Sequence, residues 1–419
     1  MLTLMLGASA SQGITIIATI ILARIFRPED FGILAIFIAI SSFLRPLVTW
    51  RFETAIMLPE SDADASNVQI LCALVLFGMC GLSLALILPL KVPIVWLMSD
   101  PRLGEWLFML PVSLLVSGLY QILSYWCIRK RRFRGLTVLQ VVQSAAIFGF
   151  QLALLATGLG GPGALILGLI AGQAVGAMLL LAYVLNSDAA FFGRSFAWRQ
   201  VKESLFLYKN FPKYSVAYAF IGTSGKQAII IILRLLSEMR VVGQFSLALR
   251  AVSVPVVVVT SPMRQVFLEK AATELKDGGL ESFVLTLLKW MTALGTPLLV
   301  FFIFYSKTLF RTFLGTAWEN AGPIAACLAV LSFTQFVAGW LDRVFDIKGE
   351  QKLALYWEIC RTILAPGTLA LALLWSHDAV FSVAAYVGVD FLCMTAWILL
   401  AFKVAGFAIK NLTVQDPSF

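Results

Sequence analysis

Twelve stretches of about twenty mostly apolar residues take up nearly the whole chain, and no other feature restricts its fold as tightly. They fall near 3–23, 31–50, 68–88, 106–126, 136–156, 164–185, 214–233, 243–260, 282–305, 321–342, 353–375 and 380–402. A hydrocarbon layer about 30 Å thick takes roughly 20 such residues for one helical crossing. Within that layer every backbone N–H and C=O has to be paired inside its own segment, so successive crossings are helices. The expectation is an all-α polytopic membrane protein with about twelve transmembrane helices. A mean hydropathy of +0.90 agrees. Charged residues make up 13%, against about 25% in an average soluble chain. The longest connection, 186–213, is too short for a separate catalytic domain.

The two halves echo each other. GASASQGITIIATIILARIFRPEDFGILAIFIAIS at 7–41 is answered by FPKYSVAYAFIGTSGKQAIIIILRLLSEMRVVGQFSLALRAVSVPVVVVTSP at 211–262. In each, a polar-dotted apolar helix ends in Arg (Arg24, Arg234) and a short link carries Glu (Glu29, Glu238). A Gly (Gly32, Gly243) then leads into the next apolar helix. Repeats of this kind build many transporters, with the substrate site between them. The expected organisation is two six-helix bundles related by an internal repeat: 1–190, a cytoplasmic linker at 191–213, and 214–419.

The net charge of +9 is distributed as a topology signal. With the N-terminus placed inside, cytoplasmic segments hold 19 of the 32 Lys and Arg, exterior segments eight and the helices five. That bias puts both termini of a multi-pass membrane protein in the cytoplasm, and it argues against a nucleic-acid partner. Cys72, Cys80, Cys127, Cys327, Cys360 and Cys393 lie in or at the ends of apolar windows, without metal-ligand spacing, and are expected to pack as small apolar residues. The first window has no basic lead and no cleavage site, so it is expected to be a retained span.

Several shorter features have structural readings. RFETAIMLPESDADA (51–65) is amphipathic and then acidic, and its acidic end is expected to be a solvated linker. Trp96, Trp106 and Trp126 mark window ends, as interfacial anchors do. RKRRFR (129–134) suits positive-inside topology better than a lipid-headgroup site. Gly168, Gly172 and Gly176 recur every fourth residue and predict close helix contact.

Catalytic chemistry is missing from the pattern. The single His, His377, sits in a predicted exterior turn, so no triad or His-based metal site can be assembled. GTSGKQ (222–227) imitates the tail of a phosphate loop, but Phe220 and Gln227 replace the required Gly and Ser/Thr, and it lies within a span. No catalytic residue, metal or cofactor is therefore expected. What remains is charge inside the spans: Arg45, Lys226, Arg250, Lys289 and Arg361, against Glu358 and Asp390. A cation at a helix centre costs about 2.5–3.5 kcal/mol to insert and marks a functional position by default. Glu358 and Arg361 are spaced to pair with each other, and Asp390 stands alone on its helix, where a hydrogen bond across helices is the structural alternative to proton coupling. The cationic excess suits an anionic substrate, making the five cations substrate-binding candidates and Asp390 with Glu358 ion-coupling candidates.

The stretches ARIFRPEDFGILAIF, WRFETAIMLPESDADA, LYQILSYWCIRKRRFRGL, YKNFPKYSVAYAF, VGQFSLALRAVSVP with SPMRQVFLEKAA, and FDIKGEQKLAL occur in order from about 11 to 360. In this respect the sequence resembles the bacterial polysaccharide (O-antigen type, Wzx-like) lipid-linked oligosaccharide flippases of the multidrug/oligosaccharidyl-lipid/polysaccharide exporter superfamily. It departs from them in starting almost directly in its first helix, which points to a truncated or misassigned start. The resemblance implies two six-helix bundles around a hydrophilic lumen. It implies transfer of an undecaprenyl-pyrophosphate-linked oligosaccharide from inner to outer leaflet, with membrane lipids, a polysaccharide polymerase and a chain-length regulator as partners. The rivals are a small-molecule exporter or a lipid II flippase of the same superfamily. From another class, the rival is a membrane polymerase or glycosyltransferase. A cationic-drug exporter would call for acidic cavity residues, a lipid II flippase for fourteen spans, and an enzyme for a large exterior loop.

Overall fold

The computed structural model describes residues 2–195, 198–276, 280–342, 344–345 and 350–405, which form helices and short turns with no strand among them. Among the described residues, ten helices are long and apolar enough to cross a membrane, from Pro28–Val48 to Ala379–Val404. The first predicted window falls in the shorter apolar helix Ala10–Ile25, and the window 243–260 lies within the 38-residue helix Met239–Lys276. Residues 346–349 of FDIKGEQKLAL and the tail from 406 lie outside the described residues.

Two compact units divide the chain: Met1–Leu247 with Phe310–Glu319, and Ala248–Leu309 with Asn320–Phe419. The first holds α1 (Leu2–Ile25), α2 (Pro28–Val48), the single turn α3 (Phe52–Ala55), α4 (Asp62–Met98) and α5 (Pro101–Trp106). It continues with α6 (Leu110–Arg129), α7 (Phe133–Ala156), α8 (Gly161–Ser195), α9 (Trp198–Leu207), α10 (Val216–Leu236) and the start of α11 (Met239–Lys276). The second unit has the rest of α11, α12 (Leu280–Leu309), α13 (Ala321–Ala338), α14 (Gln351–Ser376) and α15 (Ala379–Ala405).

Local chemistry sets the helix ends. Pro28 opens α2, where a missing N–H costs nothing, and Asp30 accepts from the Arg27 N–H at 3.1 Å. Ser61 caps α4 by accepting from the Asp64 N–H at 3.0 Å. Asp100 does the same for α5 through the Arg102 N–H. His377 ends α14 in left-handed conformation (φ 54°), and Asp378 Oδ1 caps α15 by accepting from Val380 and Phe381. The one histidine is a helix stop.

Lipid is as apolar as a leucine side chain, so helices in a bilayer associate by close packing rather than by escape from water. The first unit shows this twice. The Gly168, Gly172 and Gly176 stripe of α8 lies on the α7 backbone and on Gln151, Ile147 and Gln143. A Cβ at Gly168 would come within 2.7 Å of the Gln151 nitrogen.

The second close approach joins the repeated hairpins. The first hairpin ends α1 at Ile25 and starts α2 at Pro28; the second ends α10 at Leu236 and starts α11 at Met239, each 211 residues on. A Cβ at Gly32 would overlap the Met239 carbonyl oxygen, and one at Gly243 would overlap the Pro28 carbonyl oxygen. Met239 is the repeat counterpart of Pro28, and Gly243 of Gly32. The contact is thus reciprocal, as in an isologous two-fold interface.

Trp126, expected as an interfacial anchor, is instead fully buried, and its indole N–H donates to Asp188 Oδ2 at 3.0 Å. Trp96, 81% exposed, is placed as an anchor would be. In the second unit the core gathers around Trp340, Phe345 and Trp397, with Phe345 stacked on Trp397 at 4.2 Å.

Candidate functional site

GTSGKQ is regular helix within α10. Its hydroxyls fold back, Thr223 onto the Ala219 carbonyl and Ser224 onto Phe220, so nothing there resembles a phosphate loop. The same stretch does hold Lys226, one turn past Gly222. Gly222 has nothing within 4 Å of where a Cβ would stand, and Lys226 is exposed. Residues i and i+4 share a helix face, so Lys226 projects from a face that opens onto space.

Helix α2 packs against α10 through Phe43 and Phe220, whose rings meet edge to face at 4.4 Å. Two residues beyond Phe43, Arg45 is exposed and stands next to Pro46 inside the helix. Proline removes the N–H that would bond four residues back, which frees the Ser42 carbonyl beside Arg45. Neither Arg45 nor Lys226 has an ion-pair partner among the described residues. The first unit therefore carries two exposed cations on neighbouring spans.

The second unit adds a cation paired across helices. Arg250 on α11 and Lys289 on α12 are exposed. Arg361 is held by Asp390 of α15 through a two-pronged bond, Nε to Oδ1 at 2.7 Å and Nη2 to Oδ2 at 3.2 Å. Glu358 stands 3.8 Å from the same guanidinium. Asp390, the lone charge of its own window, thus bonds across helices, and the expected Glu358–Arg361 pair is the weaker of Arg361's two contacts. A planar guanidinium matches a carboxylate across helices bidentately, and a neutral pair is far cheaper within a span than two separate ions. In the same unit, a crevice lined by Val252, Val256, Gly295, Phe302, Ser332 and Phe336 is almost wholly apolar and lined by no charged side chain.

A further polar centre escaped the sequence reading. Glu53 on α3 is completely buried. Its Oε1 accepts from Gln121 Nε2 at 2.9 Å and lies 3.6 Å from Arg51. Trp50 and Arg51 both take left-handed backbone (φ 51° and 60°), at about 1–2 kcal/mol per residue, to turn the chain into this position. Downstream, Asp62 is not a solvated linker residue: Arg129 Nε binds Oδ1 at 3.0 Å and Lys130 binds Oδ2. Arg132 grips Asp188 at 2.6 and 2.9 Å, and that carboxylate holds the guanidinium above its ordinary range. Three of the five cations of RKRRFR are therefore spent on internal ion pairs. The signal was present in the sequence: WRFETAIMLPESDADA and LYQILSYWCIRKRRFRGL, two stretches that carried the resemblance, meet here.

Among the described residues no group of His, Cys, Asp and Glu could hold a metal ion. Two helical units with charges inside the spans define a class of fold, the multi-helix membrane proteins, and solved structures agree on it. A multidrug resistance MATE family transporter of the MOP superfamily, in its inward-facing conformation, aligns over 96% of both chains (12% identity, TM-score 0.69). The lipid II flippase MurJ, in its inward closed conformation, aligns over 99% of this chain and 94% of its own (10% identity, TM-score 0.67). The MATE multidrug transporter DinF-BH aligns over 96% of this chain and 95% of its own (14% identity, TM-score 0.66). Residues 21–323 match the profile of the family described as polysaccharide biosynthesis protein, and the chain belongs to that family. Among curated proteins no sequence matches it.

Proposed function

We propose that this protein flips an undecaprenyl-pyrophosphate-linked oligosaccharide from the inner to the outer leaflet of the bacterial cytoplasmic membrane, for surface polysaccharide such as O-antigen, capsule or exopolysaccharide. The observation that carries the reading is the pair of exposed cations, Arg45 and Lys226, on packed spans of a chain from a polysaccharide-biosynthesis family. Cations kept at that cost suit a substrate that brings its own anions. Each sugar hydroxyl moved unsatisfied into hydrocarbon costs about 2–7 kcal/mol, so a glycan requires a wet, polar route, while a polyprenyl tail can stay in lipid.

In this reading Arg45, Lys226, Arg250 and Lys289 contact the pyrophosphate or acidic sugars. Arg361 joins them when released from Asp390, and Asp390 with Glu358 forms the ion-coupling element. The halves 1–190 and 214–419, joined by 191–213, work with both termini in the cytoplasm, as the Lys/Arg bias supports. A polymerase and a chain-length regulator receive the product. Two negative charges moving outward across an inside-negative membrane gain about 2.3 kcal/mol each per 100 mV, so the potential supplies the drive.

The test is vesicles carrying the purified protein and a fluorescent polyprenyl-pyrophosphate-linked oligosaccharide. An imposed potential should accelerate flipping, and Arg45→Ala and Lys226→Ala should each slow it at least about tenfold, as expected for the loss of one charge-assisted contact. Lys226→Arg should be milder. Vesicles that expel a cationic dye and leave the lipid in place would reverse the assignment in favour of a drug exporter.

A further inference from the structure

The short helix α9 (Trp198–Leu207) carries none of the residues assigned to that transport route. It lies between the spans Gly161–Asp188 and Phe211–Leu236, so it sits at the bilayer surface where those spans end. One narrow stripe is used internally. Val201 and Ser204 are buried, Leu205 and Tyr208 pack on the same core, and Gln200 Oε1 accepts from Asn67 Nδ2 of α4 at 2.8 Å. These contacts fix the roll of the helix about its own axis.

The opposite side is both greasy and basic. Phe206 and Leu207 are 72% and 71% exposed, and Trp198 and Tyr214 are 53% and 60%. Arg199, Lys202, Lys209 and Lys213 accompany them, the first three exposed and Lys213 beside Tyr214. The one acid, Glu203, is bound by Arg199 at 2.9 Å. Lys202 lies over the Trp198 ring at 5.7 Å and Lys213 over Tyr214 at 5.0 Å, so cation and aromatic ring are presented together. Water alone is a poor partner for such a face. The border between headgroups and acyl chains suits it, since rings and leucine enter the chains while lysines meet phosphates.

We propose that this face of α9, continuing to Tyr214, is a docking surface for anionic phospholipid headgroups in the leaflet at the α8–α10 ends. Charge complementarity selects the occupant: a zwitterionic surface satisfies the rings but leaves the basic side chains without a net counter-charge, whereas an anionic one meets both. The RKRRFR cluster makes no rival claim to this role, because Asp62 and Asp188 already occupy three of its cations.

The experiment is hydrogen exchange on the full-length protein in nanodiscs of phosphatidylcholine alone or with about 30% phosphatidylglycerol. Amides 199–209 should exchange roughly fivefold more slowly in the anionic discs, and high salt should remove the difference. The segment 99–106 should be unaffected. The double variant Lys202→Glu, Lys209→Glu should melt in detergent like the parent yet lose the lipid-dependent protection. Equal exchange in both lipids overturns the proposal. So does protection that survives charge reversal, or that appears equally at 99–106. Should the double variant fail to fold, Lys202→Gln with Lys209→Gln keeps the same readout, with protection expected to fall by more than half.

Discussion

The hairpins α1–α2 and α10–α11 share one backbone arrangement and almost none of its accessories. Both turn at the same repeat position, and each lays its glycine against the other's first helical turn, Gly32 on Met239 and Gly243 on Pro28. Around that crossing they diverge. Arg24 donates to the Phe313 and Thr312 carbonyls at 2.6 and 2.7 Å. Trp318, buried, donates its indole N–H to Ala23 O at 2.7 Å and meets Phe31 edge to face at 5.2 Å. The counterpart of Arg24, Arg234, only closes its own turn, onto Ser237 O at 3.0 Å. Segment 310–319 therefore grips the first hairpin tightly and reaches the second through Arg240 and Gln244, each 3.5 Å from Ala317 O. A duplicated unit keeps the feature in which both copies meet, because there a change in either one collides with backbone. Side chains that look outward answer to different neighbours and drift apart.

The span cations follow the same rule. Lys226 falls where the first hairpin has Thr15 and Ile16, and Arg45 falls where the second has Val256. A reciprocal site would repeat them; a groove for an asymmetric ligand has no reason to.

The difference between the hairpins can be tested by substitution. Trp318→Ala should destabilise the protein most, by about 3–5 kcal/mol, and limited proteolysis should open the first hairpin before the second. Equal opening of both would mean that 310–319 holds them alike. Gly32→Leu and Gly243→Leu should each cost about 1–3 kcal/mol or more in thermal unfolding, and by similar amounts, since each meets a carbonyl of the other hairpin. A variant tolerated at only one of them would end the case for a reciprocal crossing. Arg24→Ala should lower stability by about 1 kcal/mol and Arg234→Ala by less, compared by melting in the same detergent; the reverse order would contradict the asymmetric grip. Arg45→Ala and Lys226→Ala should change stability least, within about 0.5 kcal/mol, because neither side chain is held by an ion pair. A large loss of stability would make them structural residues rather than ligand contacts.

Much of this architecture was legible in the chain. The spans follow from runs of apolar residues, and the hairpin repeat from Arg24, Gly32, Arg234 and Gly243. The packing stripe of α8 follows from glycines every fourth residue. These are local signals, because a helix crossing a bilayer satisfies its own backbone within about twenty residues. Which side chains meet across helices is a different kind of information. The Arg361–Asp390 pair spans 29 residues, Glu53–Gln121 spans 68, and Trp318–Ala23 spans 295. Each depends on how two helices are rotated and staggered against each other. An acidic linker read as solvated and a tryptophan read as an anchor acquired partners only when those rotations were set, and only then was Arg361 fixed as the partner of Asp390. Sequence determined that charge was carried into the membrane and by which residues. Only the tertiary structure decided which charges neutralise one another and which, like Arg45 and Lys226, are left facing open space, because pairing within a low-dielectric layer depends on ångström distances between segments far apart in the chain.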